Sequence, residues 1–194
     1  MNKLLTAFEQ FDAWNQQDPH HLVYDGKTFP SEYFYALRLH HWVLKLDPQA
    51  SEPLLLASRS QHIGRWQILR TAYPEGKNGY LKWRTELGKF HAEKAAEILQ
   101  NVGYDTDTIE KVKQIILKRQ IKTNTEVQCM ENALCLVFLE HQYEDFISKH
   151  EDEKVIDILQ KTWAKMSDPG RESAFTLNYS EKGKSLIVKA LNPG

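Results

Sequence analysis

Apolar positions along the first part of this chain recur every three or four residues, which is the spacing of amphipathic helices. The spacing predicts a first helix over residues 4–14, which ends near Pro19 because the residue before a proline is displaced from the helical region. Residues 20–30 are predicted to form a loop. Ser31 can cap a second helix. A third helix is predicted from about residue 50 to Leu69.

The helical pattern continues in the second part of the chain. A turn rich in proline, glycine and asparagine is predicted over residues 73–79. The further helices are predicted over about residues 80–101 with a stop at Gly103, after capping boxes at Asp107–Glu110 and Thr123–Glu126, and over residues 152–167. Residues 185–191 fit a short strand or a helix. The pattern therefore predicts an all-α protein, a single-domain bundle of about seven or eight helices over residues 1–194.

Charge adds one local feature to this picture. The chain has a net charge of -1, which argues against general nucleic-acid binding. Residues 57–91 nevertheless contain seven basic residues and only two acidic ones, together with five aromatic residues and a histidine near each end. Long cations are rarely buried without a partner. This basic stretch therefore indicates a wall that binds an anion, and phosphate is the expected group.

The two cysteines and the hydropathy of the chain indicate the cellular compartment of the protein. Cys129 and Cys135 point in different directions on a helix and cannot bridge each other, so they are expected to be reduced thiols. No run approaches the roughly 18 apolar residues of a membrane helix, and the N-terminal segment lacks the apolar run of a signal peptide. We therefore expect a cytoplasmic protein without a membrane segment.

Several residues of the basic stretch carry candidate chemistry. Arg59, His62 and Trp66 share one face if the third helix is continuous. His91, on the fourth helix, can face His62, and Glu131 is the carboxylate candidate because it begins the most apolar helix. Two histidines and a carboxylate can hold a divalent metal. The alternative is that the histidines donate to backbone carbonyls and that the arginines pair with internal carboxylates, and both interpretations stay open here.

The motifs of the chain resemble one protein family over nearly its whole length. They are Gln61-His62-x-x-Arg65-Trp66, Gly79-Tyr80-x-x-Trp83-Arg84, Phe90-His91-Ala92, Glu131-Asn132 and Lys161-Thr162-Trp163-x-Lys165-Met166-Ser167. Together they are similar to the DUF4202 family, which is defined as a domain of unknown function. The resemblance implies no established activity.

A more distant resemblance suggests a class of enzyme. The segment from Leu54 to Gly64 is similar to the helix that carries the His-Asp pair of HD-type metal-dependent phosphohydrolases. That resemblance implies a helical fold and a divalent metal held by histidines and aspartates. Gln61 stands where the histidine would be, His62 where the aspartate would be, and the neutral Asn132 near the late aspartate. A site of this class would need the rearranged set of His62, His91 and Glu131.

The sequence thus predicts a helical phosphohydrolase-like protein that binds a small phosphorylated ligand, such as a nucleotide. His62, His91 and Glu131 are the predicted catalytic and metal-binding residues. The residues predicted to bind the ligand are Arg59, Arg65, Trp66, Arg70, Tyr80, Trp83 and Arg84. The alternative function is a non-catalytic module that binds an anion, RNA or a protein partner.

Overall fold

A computed structural model describes residues 2–121 and 123–192, and this part of the chain is mainly helical. The prediction of an all-α protein is confirmed. Ten α-helices lie in the described ranges, which is more than the seven or eight expected. They are α1 (Lys3–Asn15), α2 (Ser31–Leu46), α3 (Glu52–Ser60), α4 (Gly76–Val102), α5 (Thr106–Ile116), α6 (Thr125–His141), α7 (Tyr143–Lys149), α8 (Asp152–Lys165), α9 (Asp168–Phe175) and α10 (Glu181–Leu191).

The predicted helix starts are close, but the capping residues differ. The Asp18 carboxylate, rather than Ser31, accepts from a backbone N–H of the first turn of α2, at Glu32, over 2.9 Å. The side chain of Asp105 caps α5 instead of Asp107. Asn124 Oδ1 accepts from the first turn of α6, where Thr123 was expected to do so. In each case a side-chain oxygen satisfies a backbone donor that has no partner within its helix.

The prediction of a long third helix is wrong. α3 ends at Ser60, and Gly64 then has a left-handed φ of 67°. Two short 3₁₀ turns follow, at Arg65–Gln67 and Arg70–Ala72, before α4 starts at Gly76. The predicted face of Arg59, His62 and Trp66 therefore does not exist, because these residues do not belong to one helix.

A small hairpin occupies the predicted loop before α2. Strands β1 (His21–Tyr24) and β2 (Lys27–Pro30) pair antiparallel, with His21 opposite Pro30. The two-residue turn is Asp25–Gly26, and both residues have positive φ angles, of 50° and 71°. This is the conformation that a tight hairpin turn needs and that Asp-Gly adopts readily. The sequence thus contained a signal for the hairpin.

The described residues form two compact units, with the boundary between Val127 and Gln128 inside α6. In the first unit α3 is central, because α1, α2, α4 and α5 all pack against it. Leu54, Leu56 and Ala57 of α3 are fully buried there. The predicted single domain stays a prediction.

In the second unit α10 packs against α7 and α8. Tyr143 at the start of α7 is fully buried, and its hydroxyl donates to the Gly183 carbonyl oxygen over 3.0 Å. Residues 185–191, left open between strand and helix, belong to α10. Within the described ranges, every helix is too short or too polar to span a bilayer.

Candidate functional site

Two histidines from different elements of the first unit lie side by side. His62 follows α3, His91 lies on α4, and their ring centroids are 5.8 Å apart. His91 Nδ1 is 2.7 Å from the Ile63 carbonyl oxygen. Because that oxygen can only accept, Nδ1 carries the proton and Nε2 presents its lone pair. His91 Nε2 is buried and has no hydrogen-bond partner.

Both imidazoles of this pair are neutral near pH 7. Burial lowers the pKa of His91 to about 4, although its hydrogen bond to Ile63 opposes the shift. Burial also holds the pKa of His62 well below its usual value, and the charges of Arg65, Lys118 and Arg84 lower it further. His62 therefore lies among cations and is itself uncharged, which is an environment that favours an anion.

Two neighbouring aromatic rings lie between two guanidinium groups beside the histidines. The Arg65 guanidinium lies 5.3 Å over the Trp83 ring, and the Trp83 and Tyr80 ring centroids are 5.9 Å apart. The Arg84 guanidinium lies 5.8 Å over the Tyr80 ring. We call Arg65, Trp83, Tyr80 and Arg84 the basic–aromatic strip. Four of the residues predicted to bind the ligand are thus brought together.

The strip combines one buried ring with accessible charges. Trp83 is buried, and its Nε1 donates to the Ile68 carbonyl oxygen over 2.9 Å. In contrast, the Arg65 side chain is 40% exposed and Tyr80 is 42% exposed. Arg84 is exposed and has no carboxylate partner in the part of the chain that the structure describes. The exposure of both guanidinium groups argues against a purely internal role for them.

Glu32 lies next to the strip and was not predicted from the sequence. Its Oε1 is 3.7 Å from Arg65 Nε, and its side chain is only 12% exposed. Burial raises the pKa of Glu32 to about 7, while Arg65 lowers it and Asp18 raises it. No sequence motif marks this residue, because its partner lies on a segment distant along the chain.

A small cavity opens beside Glu32 and His62. Its volume is about 10 Å³, roughly the room that one water molecule needs. Its lining comes from α1, α2, α3 and the segment after α3, through Asn15, Glu32, Tyr35, Ala36, Leu39, Ser58 and His62. The cavity therefore connects a carboxyl group that titrates near neutrality with the neutral His62.

The other three residues of the predicted ligand-binding set have different surroundings. Arg59 is buried, pairs with the Asp12 carboxylate of α1, and lies 5.1 Å over the Phe8 ring. Arg70 Nη1 donates to the Tyr73 carbonyl oxygen over 3.0 Å. Trp66 is half-buried in a 3₁₀ turn. These three residues are not part of the basic–aromatic strip.

Glu131 and Asn132 lie on α6 in the second unit, and both are buried. Asn132 Oδ1 accepts from Gln128 Nε2 and from the Ser167 backbone N–H, each over 3.0 Å. Asn132 Nδ2 donates to Ser167 Oγ over 2.7 Å. Asn132 thus has a structural role in its own unit. The joint action of Glu131 with the histidines stays a prediction.

The histidine pair fits a metal only in part. In His91, Nδ1 donates to a carbonyl oxygen and Nε2 has no hydrogen-bond partner, which is typical of a histidine that binds a metal. Among residues 2–121 and 123–192, however, no three histidine, cysteine, aspartate or glutamate side chains converge at metal-binding spacing. The cations around His62 would also repel a metal ion, which adds a further positive charge.

Fold and site together define a helical protein with a neutral histidine pair beside a partly exposed basic–aromatic strip. A model of the DUF4202 family, described as a domain of unknown function, matches residues 5–187. The chain belongs to this family. Neither the curated proteins nor the solved structures contain a match.

Proposed function

We propose that this protein binds a small phosphorylated ligand, a nucleoside phosphate, on the basic–aromatic strip. The observation that carries the proposal is a pair of neighbouring aromatic rings with an accessible guanidinium group over each, beside an uncharged histidine pair. Guanidinium groups bind phosphate oxygens through two parallel hydrogen bonds. The accessible Tyr80 ring offers a stacking surface for a base.

The direct test is binding of ADP, measured by calorimetry. Arg84→Gln should weaken ADP binding about 10- to 100-fold, because a charge-assisted hydrogen bond contributes about 1.5–3 kcal/mol. Arg38→Gln is the matched control, since the Arg38 guanidinium also lies over a tyrosine ring, 4.4 Å from that of Tyr24, outside the strip. Equal affinity of wild type and Arg84→Gln, or no ADP binding by wild type, would overturn the proposal.

Base stacking can be separated from phosphate binding with a second variant. Tyr80→Ala should weaken ADP binding, because stacking of one base contributes about 1–3 kcal/mol. It should weaken pyrophosphate binding less, since pyrophosphate has no base and is affected only through the loss of the Arg84 contact with the Tyr80 ring. An equal loss for both ligands would show that Tyr80 has no stacking role.

Metal-dependent hydrolysis of the same ligand is the second candidate function. The specific observation in its favour is His91, whose Nδ1 donates to the Ile63 carbonyl oxygen while its buried Nε2 has no hydrogen-bond partner. His62 and His91, with Glu131 as the predicted third ligand, would hold the metal. A divalent metal supplies a nucleophile by lowering the pKa of a bound water.

Elemental analysis of protein purified without a histidine tag tests this second candidate. Bound metal, a thermal shift with manganese, zinc or nickel, and loss of both in His91→Ala would support it. A metal-free protein with no shift would reject the phosphohydrolase function and leave the binding function intact.

We further propose a cytoplasmic location, where the Cys129 and Cys135 thiols would stay reduced.

A further inference from the structure

Glu32 and a bound phosphate would need the same partner. Arg65 is the residue of the strip that lies closest to His62 along the chain, and its Nε already lies 3.7 Å from Glu32 Oε1. That distance is too long for a strong hydrogen bond, so the pair is loose. The Arg65 side chain is 40% exposed, so an incoming anion can reach the guanidinium that a buried carboxylate contacts from the inside.

Resting on the proposed function, we propose that Glu32 competes with the bound phosphate for the Arg65 guanidinium. When the phosphate takes Arg65, Glu32 loses its cation and takes up a proton. The proton comes from solvent and stays on the Glu32 carboxyl group, so no covalent bond in the ligand forms or breaks. Phosphate binding and protonation of Glu32 are therefore one coupled event.

The surroundings of Glu32 support this coupling. The charged or titratable groups near it are Arg65, Asp18, Tyr35 of its own helix and His62 across the small cavity. Asp18 is also bonded to His20, over 2.9 Å. Asn15 and Ser58, from α1 and α3, are neutral. Arg65 is thus the cation that keeps Glu32 ionised, and Glu32 Oε2 is buried with no hydrogen-bond partner.

The sign of the effect follows from the charges. Burial raises the pKa of Glu32 to about 7 even with Arg65 beside it. When the phosphate takes Arg65, the pKa of Glu32 rises further. Above pH 7, ADP binding is therefore accompanied by uptake of protons. ADP itself contributes little at pH 8, because a phosphate ester has a second pKa of about 6. ADP affinity should then fall as pH rises above 7, by up to about tenfold per pH unit for one proton.

Calorimetry of ADP binding at pH 8 in Tris and in HEPES tests the proposal. These buffers differ in ionisation enthalpy, so the difference in binding heat gives the number of protons taken up. Wild type should take up a large fraction of one proton. Glu32→Gln should take up none and should bind ADP about tenfold more tightly at pH 8, because a neutral amide does not hold Arg65.

Glu75→Gln is the matched control, since Glu75 is exposed and its substitution changes the net charge equally. Binding by wild type without proton uptake, proton uptake that persists in Glu32→Gln, or equal effects in Glu75→Gln would each overturn this inference alone. No ADP binding at pH 6 or pH 8 would overturn the proposed function as well. If Glu32→Gln does not fold, the wild-type buffer comparison decides.

Discussion

Arg59 and Arg65 belong to the same basic stretch, but their surroundings differ. The Arg59 guanidinium is buried against α1, where it pairs with the Asp12 carboxylate. The Arg65 side chain is 40% exposed and has only a loose carboxylate partner. Residue type alone predicts a cation in both cases, and burial determines which of the two guanidinium groups can contact a ligand.

Arg59→Met tests this distinction. It should lower the free energy of unfolding by about 3 kcal/mol, because loss of one partner leaves the other charge buried. Urea denaturation measures the change, with Arg84→Met as the exposed control expected to stay within about 0.5 kcal/mol of wild type. Similar stability of the two variants would mean that the Asp12 pair contributes little.

His91 shows how much of the site the sequence contained. Its place beside His62 was predicted for a pair of helices, and the two rings do lie together although His62 is in the turn after α3. The tautomer could not be predicted, because it depends on a carbonyl oxygen of Ile63 that lies 28 residues away in the chain. Glu32 was missed for the same reason, since only the fold brings it to Arg65.

Among the elements, the segment after α3 determines the geometry of the site. Apolar residues continue to Leu69 at helical spacing, but α3 ends at Ser60 and Gly64 has a left-handed conformation. A Cβ atom at Gly64 would lie 2.8 Å from Trp14 Nε1 and 2.9 Å from Phe90 Cε1. The turn thus allows α1 and α4 to approach the backbone between His62 and Arg65.

Gly64→Ala should therefore be costly. A left-handed alanine costs roughly 1–2 kcal/mol, and the contacts with Trp14 and Phe90 add to that cost. Gly103→Ala is the control, because Gly103 is also left-handed but has open space around it. Thermal unfolding should show a larger loss for Gly64→Ala, and equal losses would contradict the proposed close packing.

Local signals explain which elements were predictable. The first, second and fourth helices were recovered to within a few residues because proline, glycine and polar caps mark their ends. The hairpin was missed although Asp25–Gly26 is a recognised turn signal. The early end of α3 was missed because apolar residues continue past Ser60 at helical spacing, although Gly64 offered a local signal of a break.

At the scale of the whole molecule, the buried titratable groups of the first unit predict acid sensitivity. Burial lowers the pKa of His40 and of His91 to about 4, and that of His62 well below its usual value. Below pH 6.5 the unfolded chain therefore binds more protons than the folded chain, so the free energy of unfolding falls as pH decreases. Glu32 acts in the opposite direction, because its raised pKa makes the folded state bind more protons between pH 4.5 and 7.

The histidines should prevail over Glu32. Between pH 7 and 5, His40 and His91 each contribute a loss of about 2 kcal/mol, and Glu32 offsets about 2 kcal/mol. His62 adds to the loss, so the net loss should be roughly 2 kcal/mol or more. Urea denaturation at both pH values measures it. Glu32→Gln should show a larger loss and His91→Gln a smaller one. Stability that is unchanged from pH 7 to pH 5 would contradict this balance.

One hydrogen-bond network in the second unit has a further consequence. Asn132 receives two donors at Oδ1 and gives one hydrogen to the Ser167 hydroxyl. An aspartate at this position could accept the same two donors, and the Ser167 hydroxyl could rotate to donate to its second oxygen. Either side chain could therefore link α6 to the start of α9, but an ionised carboxylate would bury a charge that the amide does not carry.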